Sequence, residues 1–222
     1  MGFSQELKAE NQEVWDKILA HRFIKELGEG TLPMEKFTYY VQQDYLYLID
    51  FARCIGLAAS KAEDIESMRR WAQMMDGCLS YETEMLEAQM EKLGITRDKI
   101  REARKAPTNT AYINHLLRVA YSGTVVENVA ALLPCMWTYL EVGEVLASIG
   151  GYMGHPFYED WCTAYGSEEY ASLVQLYIDL VDMIAVESGR YLKDKMREHF
   201  RVSMKYEYMF WDMAYNMEKW VI

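Results

Sequence analysis

Cysteine, proline and positive charge are all scarce in this chain of 222 residues, and each scarcity excludes something. Cys54, Cys78, Cys135 and Cys162 stand far apart with no CxxC pair, so neither a zinc site of paired thiols nor a disulfide scaffold is expected. Free thiols of this kind suit a reducing, cytoplasmic setting. Lys and Arg number 23 against 34 Asp and Glu, a net charge of −11. A nucleic-acid partner requires a cationic footprint, and the one basic run, Arg97–Lys105, reads as a solvated helix or loop. The longest apolar run, Val129–Trp137, is far short of the roughly 20 residues that cross a bilayer, and Met1–Leu7 is too polar for a signal peptide. HExxH, P-loop, dinucleotide and G-x-S-x-G signatures are missing. None of His21, His115, His155 and His199 follows a Glu by three residues, so the di-iron pattern is missing too. No metal and no cofactor is expected.

What the chain has is apolar and aromatic mass: 51% hydrophobic residues, 17 Tyr, 15 Met and 6 Trp. Its length suits one domain, residues 1–222, because single cores stop growing only near about 250–300 residues. Buried Tyr needs a partner for its hydroxyl, so this many points to a polar interior or to subunit interfaces. Helical spacing dominates throughout. Leu7, Val14 and Ile18 mark a first amphipathic helix from Ser4. Thr31 is the expected N-cap of a helix with Pro33 in its first turn, running to about Ser60. Further helices are predicted from Asp64 to Leu93, from Pro107 to Ser122, from Thr124 to Ile149, through Tyr165, from Ser167, and over Val202–Lys219. The expectation is an all-α bundle.

Three places on these helices could carry chemistry. Tyr40, Asp44, Tyr47 and Phe51 share one face by their spacing of four, three and four. A carboxylate within such a stripe is costly unless hydrogen-bonded or neutralised, which leaves a functional acid and a structural bond to a neighbouring Tyr both open. Asp50 is expected on a different, solvated face. In the helix from Thr124, Pro134 removes a hydrogen bond and predicts a kink at Cys135, with Tyr139 one turn further on the same face. An ordinary thiol is only about 3% ionised at neutral pH, so Cys135 is either an assisted nucleophile or an inert packing residue. The other three cysteines read as packing. Near the C-terminus Glu207 lies among Tyr, Met, Phe and Trp, where an apolar setting makes a general acid and a water-facing position makes an ordinary rim residue.

Taken together, Gly28-Glu-Gly-Thr-Leu-Pro33 with Gln43-Asp-Tyr-Leu-Tyr47, Pro134-Cys-Met-Trp-Thr-Tyr139, and Tyr206-Glu-Tyr-Met-Phe-Trp-Asp-Met-Ala214 resemble the TenA/thiaminase II family from about Trp15 to Tyr215. The resemblance implies a haem-oxygenase-like all-α fold and a homotetramer. It also implies hydrolysis of aminomethylpyrimidine to hydroxymethylpyrimidine for thiamin salvage, with cleavage of thiamin itself as a second activity. By the same resemblance Asp44 grips the ring nitrogen and exocyclic amine, Cys135 is the nucleophile, Tyr47 supports the thiol, and Glu207 donates a proton to the leaving amine. Tyr139 and Tyr165 match substrate-contacting tyrosines, and Tyr112 matches a pocket wall. One departure is His21-Arg22-Phe23, where the family usually has His-Pro-Phe. Two other readings stay in view: a haem-binding redox protein of the same fold, ligated by His21 or another His, and a pyrimidine-binding regulatory protein without catalysis. Retention of Cys135 together with Glu207 speaks against the second, because a pure binder needs neither.

Overall fold

The computed structural model describes residues 2–221, apart from the side chains of Arg97 and Arg101, and among them only helices, turns and loops occur. The N-terminal stretch is three short helices, α1 (Phe3–Glu10), α2 (Gln12–Leu19) and α3 (Arg22–Gly28), where one was predicted. The first break is at Asn11, whose side-chain amide donates to the Leu7 carbonyl at 2.7 Å and so competes with the backbone ladder. His21 makes the second break, its Nδ1 accepting from the Phe23 N–H at 3.1 Å as a helix cap. Thr31 does not cap the next helix. Its N–H donates to the Glu26 carbonyl at 2.8 Å, closing α3 behind Gly30, whose φ of 71° is a left-handed turn that suits glycine. Pro33 is itself the N-cap of α4 (Met34–Lys61).

Asp64 caps α5 (Ile65–Asp76) by accepting from Glu66 and Ser67 N–H groups. The predicted continuous helix to Leu93 is interrupted by a π-helical turn, Gly77–Glu82, before α6 (Thr83–Lys92). The basic run forms α7 (Arg97–Glu102), and Lys105 beyond it pairs with Asp50 of α4. Asp50 is therefore buried, not solvated. Burial alone would raise its carboxyl, but Lys105 and Arg53 outweigh that and hold it below the usual range. Pro107 opens α8 (Pro107–Ser122), and Thr124 with Glu127 forms a capping box on α9 (Val125–Ile149). The chain finishes with α10 (Glu159–Tyr165), α11 (Glu168–Glu187), capped by Ser167, and α12 (Arg190–Asn216). The last helix starts a dozen residues before the expected Val202, because Met196, His199 and Phe200 already turn a buried face inward.

Helix α9 is the axis of the core. It runs unbroken through Pro134 and packs against α12, α11, α10, α8 and α3. By length and composition it could cross a membrane, but 78% of its most apolar window is buried among these neighbours, which marks it as a core helix. Gly143 lets α10 approach closely: a Cβ there would stand 2.5 Å from the Tyr165 carbonyl, a rigid backbone group. Alanine usually gains about 1 kcal/mol over glycine inside a helix, but here the clash decides the sign. Gly143→Ala is expected to lose about 1–3 kcal/mol, read as a lower urea midpoint; a higher midpoint contradicts this packing.

Candidate active site

Four helices deliver the predicted residues to one buried cluster. From α4 come Tyr40, Asp44 and Tyr47, from α8 Tyr112, from α9 Cys135 and Tyr139, and from α12 Glu207. Tyr165 arrives at the end of α10, its ring 5.0 Å from that of Tyr139. All seven residues singled out from the sequence are buried, so Glu207 is no rim residue: it is 2% exposed and Asp44 4%.

The acids are held differently. Tyr112 donates to Glu207 Oε1 at 2.5 Å, and burial, partly offset by this bond and reinforced by the charge of Asp44, raises Glu207 to about 8. Tyr40 donates to Asp44 Oδ2 at 2.8 Å, and its oxygen lies 3.2 Å from the Tyr139 hydroxyl. Burial takes Asp44 to about 7 against that bond. Each acid therefore keeps or readily regains its proton near neutrality. The thiol of Cys135 is pushed well above its ordinary value, by burial first and then by the charges of Glu207 and Glu82. Tyr47 acts in the opposite sense. Its buried hydroxyl has no partner at bonding distance, yet lies near enough to the sulfur for its O–H to favour the thiolate.

Aromatic rings enclose these groups. Tyr40 and Trp211 stack with centroids 5.4 Å apart and planes 9° apart, and Trp211 also stacks on Tyr139 at 5.1 Å. Tyr47 meets Tyr112 at 5.2 Å, and Tyr112 stacks on Tyr206 at the same distance. Two open surface cavities, of about 840 and 410 Å³, share no residue with this cluster, and the chemistry argues for the buried groups as the site.

Sequence reasoning missed two residues here. Tyr40 was noted only as part of a stripe, although it links Asp44 to Tyr139. Glu82 gave no signal: the π-turn rotates it inward, where it is 2% exposed, and burial together with the charge of Asp44 raises it to about 8. The haem reading through His21 loses its ligand, because Nδ1 caps α3 and Nε2 lies 3.2 Å from Asp212.

The arrangement of helices defines the class first. Haem oxygenase 2 of Chlamydomonas reinhardtii shares it with a TM-score of 0.67 over 96% of this chain and 97% of its own, at 11% identity, which is a likeness of fold alone. Within that class the chain belongs to the TENA/THI-4/PQQC family, whose model matches residues 8–217. It is 37% identical to an aminopyrimidine aminohydrolase of Bacillus subtilis, over 99% of this chain and 92% of that protein. With the aminopyrimidine aminohydrolase of Halalkalibacterium halodurans it shares 34% identity, over 99% and 98%. A solved TenA homologue from P. horikoshii OT3 superposes with a TM-score of 0.89 at 31% identity, over 97% and 99%.

The raised thiol carries its own prediction. Without substrate Cys135 is mostly protonated and buried, so iodoacetamide should alkylate it more slowly at pH 7.5 than it alkylates free cysteine. Mass spectrometry of the Cys135 peptide over time measures this, and labelling faster than free cysteine contradicts the electrostatics described.

Proposed function

We propose that the protein is an aminopyrimidine aminohydrolase, converting 4-amino-5-aminomethyl-2-methylpyrimidine to the 5-hydroxymethyl compound and cleaving thiamin as a second reaction. The observation that carries this reading is one buried cluster in which a thiol, Cys135, faces carboxylic acids able to exchange protons near neutrality. Family membership and the names of the relatives at 34–37% identity support it independently.

The roles follow from chemistry. A carboxyl that titrates near 7 suits the nitrogen edge of an aminopyrimidine, because it can donate to a ring nitrogen and accept from the amine beside it; that is Asp44. Tyr139 and Tyr165 supply hydroxyls to the ring, and Tyr112 forms a wall while holding Glu207 in place. The sulfur of Cys135, helped by Tyr47, adds to an electron-poor ring carbon, and the thiol's proton passes to the ring nitrogen that receives the displaced electron pair. The lone pair left on that nitrogen then drives the amine off the methylene through the ring, with Glu207 giving the amine its proton. Water adds to the methylene, Glu207 takes a proton back, and the ring nitrogen returns its proton to the sulfur as the ring releases it.

The same reading extends to assembly and setting. Residues 1–222 act as one domain of a cytoplasmic homotetramer. Exposed Ile65, Met68 and Leu79 on α5 and the π-turn support a contact between copies. Sedimentation velocity should give the mass of four chains, and a monomer contradicts this assembly.

Glu207 supplies the test of mechanism. Its acid form is present below about pH 8 and lost above it, so kcat/KM for aminomethylpyrimidine should fall as pH rises through that value. Glu207→Gln should lose about 10²–10⁴ in rate and with it the alkaline limb. The loss should be smaller for thiamin, whose thiazole leaves without a proton. Equal losses on both substrates sink the donor role.

A further inference from the structure

Of the buried acids outside the proposed mechanism, Asp50 is paired with Lys105 and Arg53, but Glu82 has no such partner. Glu82 closes the π-turn between α5 and α6, and its Oε2 has no hydrogen-bond partner. An orphaned carboxyl oxygen in a protein interior costs stability and calls for an explanation in each case. Its backbone is firmly placed. Thr83 Oγ1 donates to the Cys78 carbonyl at 2.9 Å, answering the backbone group that the wider turn leaves free. Tyr81 donates to the Ala164 carbonyl at 3.0 Å, tying the turn to the end of α10 beside Tyr165. Gly77 opens the turn against Leu173, whose Cδ1 would lie 2.6 Å from any Cβ at that position. Single π-turns of this kind are frequent at functional sites, because the extra residue re-aims the side chains that follow.

Glu82 also faces the pyrimidine site electrically. The charge of Asp44 acts on it, and its own charge acts on Cys135, Tyr165 and Tyr170. An aminopyrimidine offers two amine hydrogens, and a single carboxyl on its nitrogen edge satisfies one. We infer that Glu82 is a further substrate-binding residue, its unpartnered oxygen accepting the second hydrogen of the amine whose first is held by Asp44. The neutral state favoured by its burial suits this task, since a protonated carboxyl keeps a carbonyl acceptor without adding a second charge beside Asp44. This inference rests on the aminopyrimidine reading.

The test is calorimetric binding of hydroxymethylpyrimidine to the full chain, with thermal melting alongside. Glu82→Leu should weaken binding about tenfold while melting no lower than the parent, because it removes an unsatisfied buried acid along with the contact. Glu82→Asp, which keeps the acid but withdraws it by one methylene, should weaken binding by a similar factor, and serves where the leucine variant fails to fold. Glu82→Gln retains the carbonyl acceptor and should bind within about threefold of the parent. Parental affinity in the Asp variant, or a loss in Gln as large as in Leu, overturns the assignment while leaving the wider reading intact. A parent that neither binds the pyrimidine nor releases ammonia from aminomethylpyrimidine overturns both.

Discussion

Desolvation of carboxyl groups in the protein interior is the constraint on which the site depends. Asp44, Glu82 and Glu207 come from α4, the π-turn and α12, and burial is the leading cause of the raised value of each. In water each would be ionised near neutrality and unable to give a proton. Burial raises them to between about 7 and 8, in the range where a general acid works at physiological pH. The same burial pushes the Cys135 thiol well above its ordinary value. A wetter pocket would return the acids to their ordinary, ionised state.

The aromatic shell is kept dry by packing more than by any one bond. Trp211 stacks on both Tyr40 and Tyr139, so one ring of α12 braces the helices that carry Asp44 and Cys135. Gly143 admits α10 close to α9 and with it Tyr165. Pro134 sits one residue before the thiol, in the helix that touches more of the core than any other described here. With no N–H at 134 the Ala130 carbonyl lacks its usual partner inside the helix. The tyrosine hydroxyls then decide which acid is held and which is not: Tyr112 fixes Glu207, Tyr40 fixes Asp44, and nothing fixes Glu82.

Much of this was legible in the sequence, because it is local. Asp44 with Tyr47, and Cys135 with Tyr139, are three and four residues apart, so helical period alone puts each pair on one face. The caps at Asp64, Thr124 and Ser167 were equally readable, since a cap is a short-range bond. That the faces meet was not local; resemblance to a family supplied it. The misreadings share a cause in distance or register. Asp50 was assigned to water because Lys105, its partner, is 55 residues away. The last helix was expected only from Val202, although Arg197 already pairs with Glu6 and Glu10 of α1 while Met196 and Phe200 turn inward. Thr31 looked like a cap for the helix ahead and closes the one behind. Glu82 was invisible because a π-turn carries no period to read; Gly77 inside an otherwise helical run was the one available sign.

In the proposed reaction the buried thiol does the chemistry while other groups hold the ring. Ammonia release from aminomethylpyrimidine, measured for the parent and for Cys135→Ser in parallel with hydroxymethylpyrimidine affinity, tests it most directly. Turnover should fall by about a thousandfold or more in the serine variant, with affinity for the pyrimidine within a fewfold of the parent. Ammonia release by Cys135→Ser at the parental rate would contradict it.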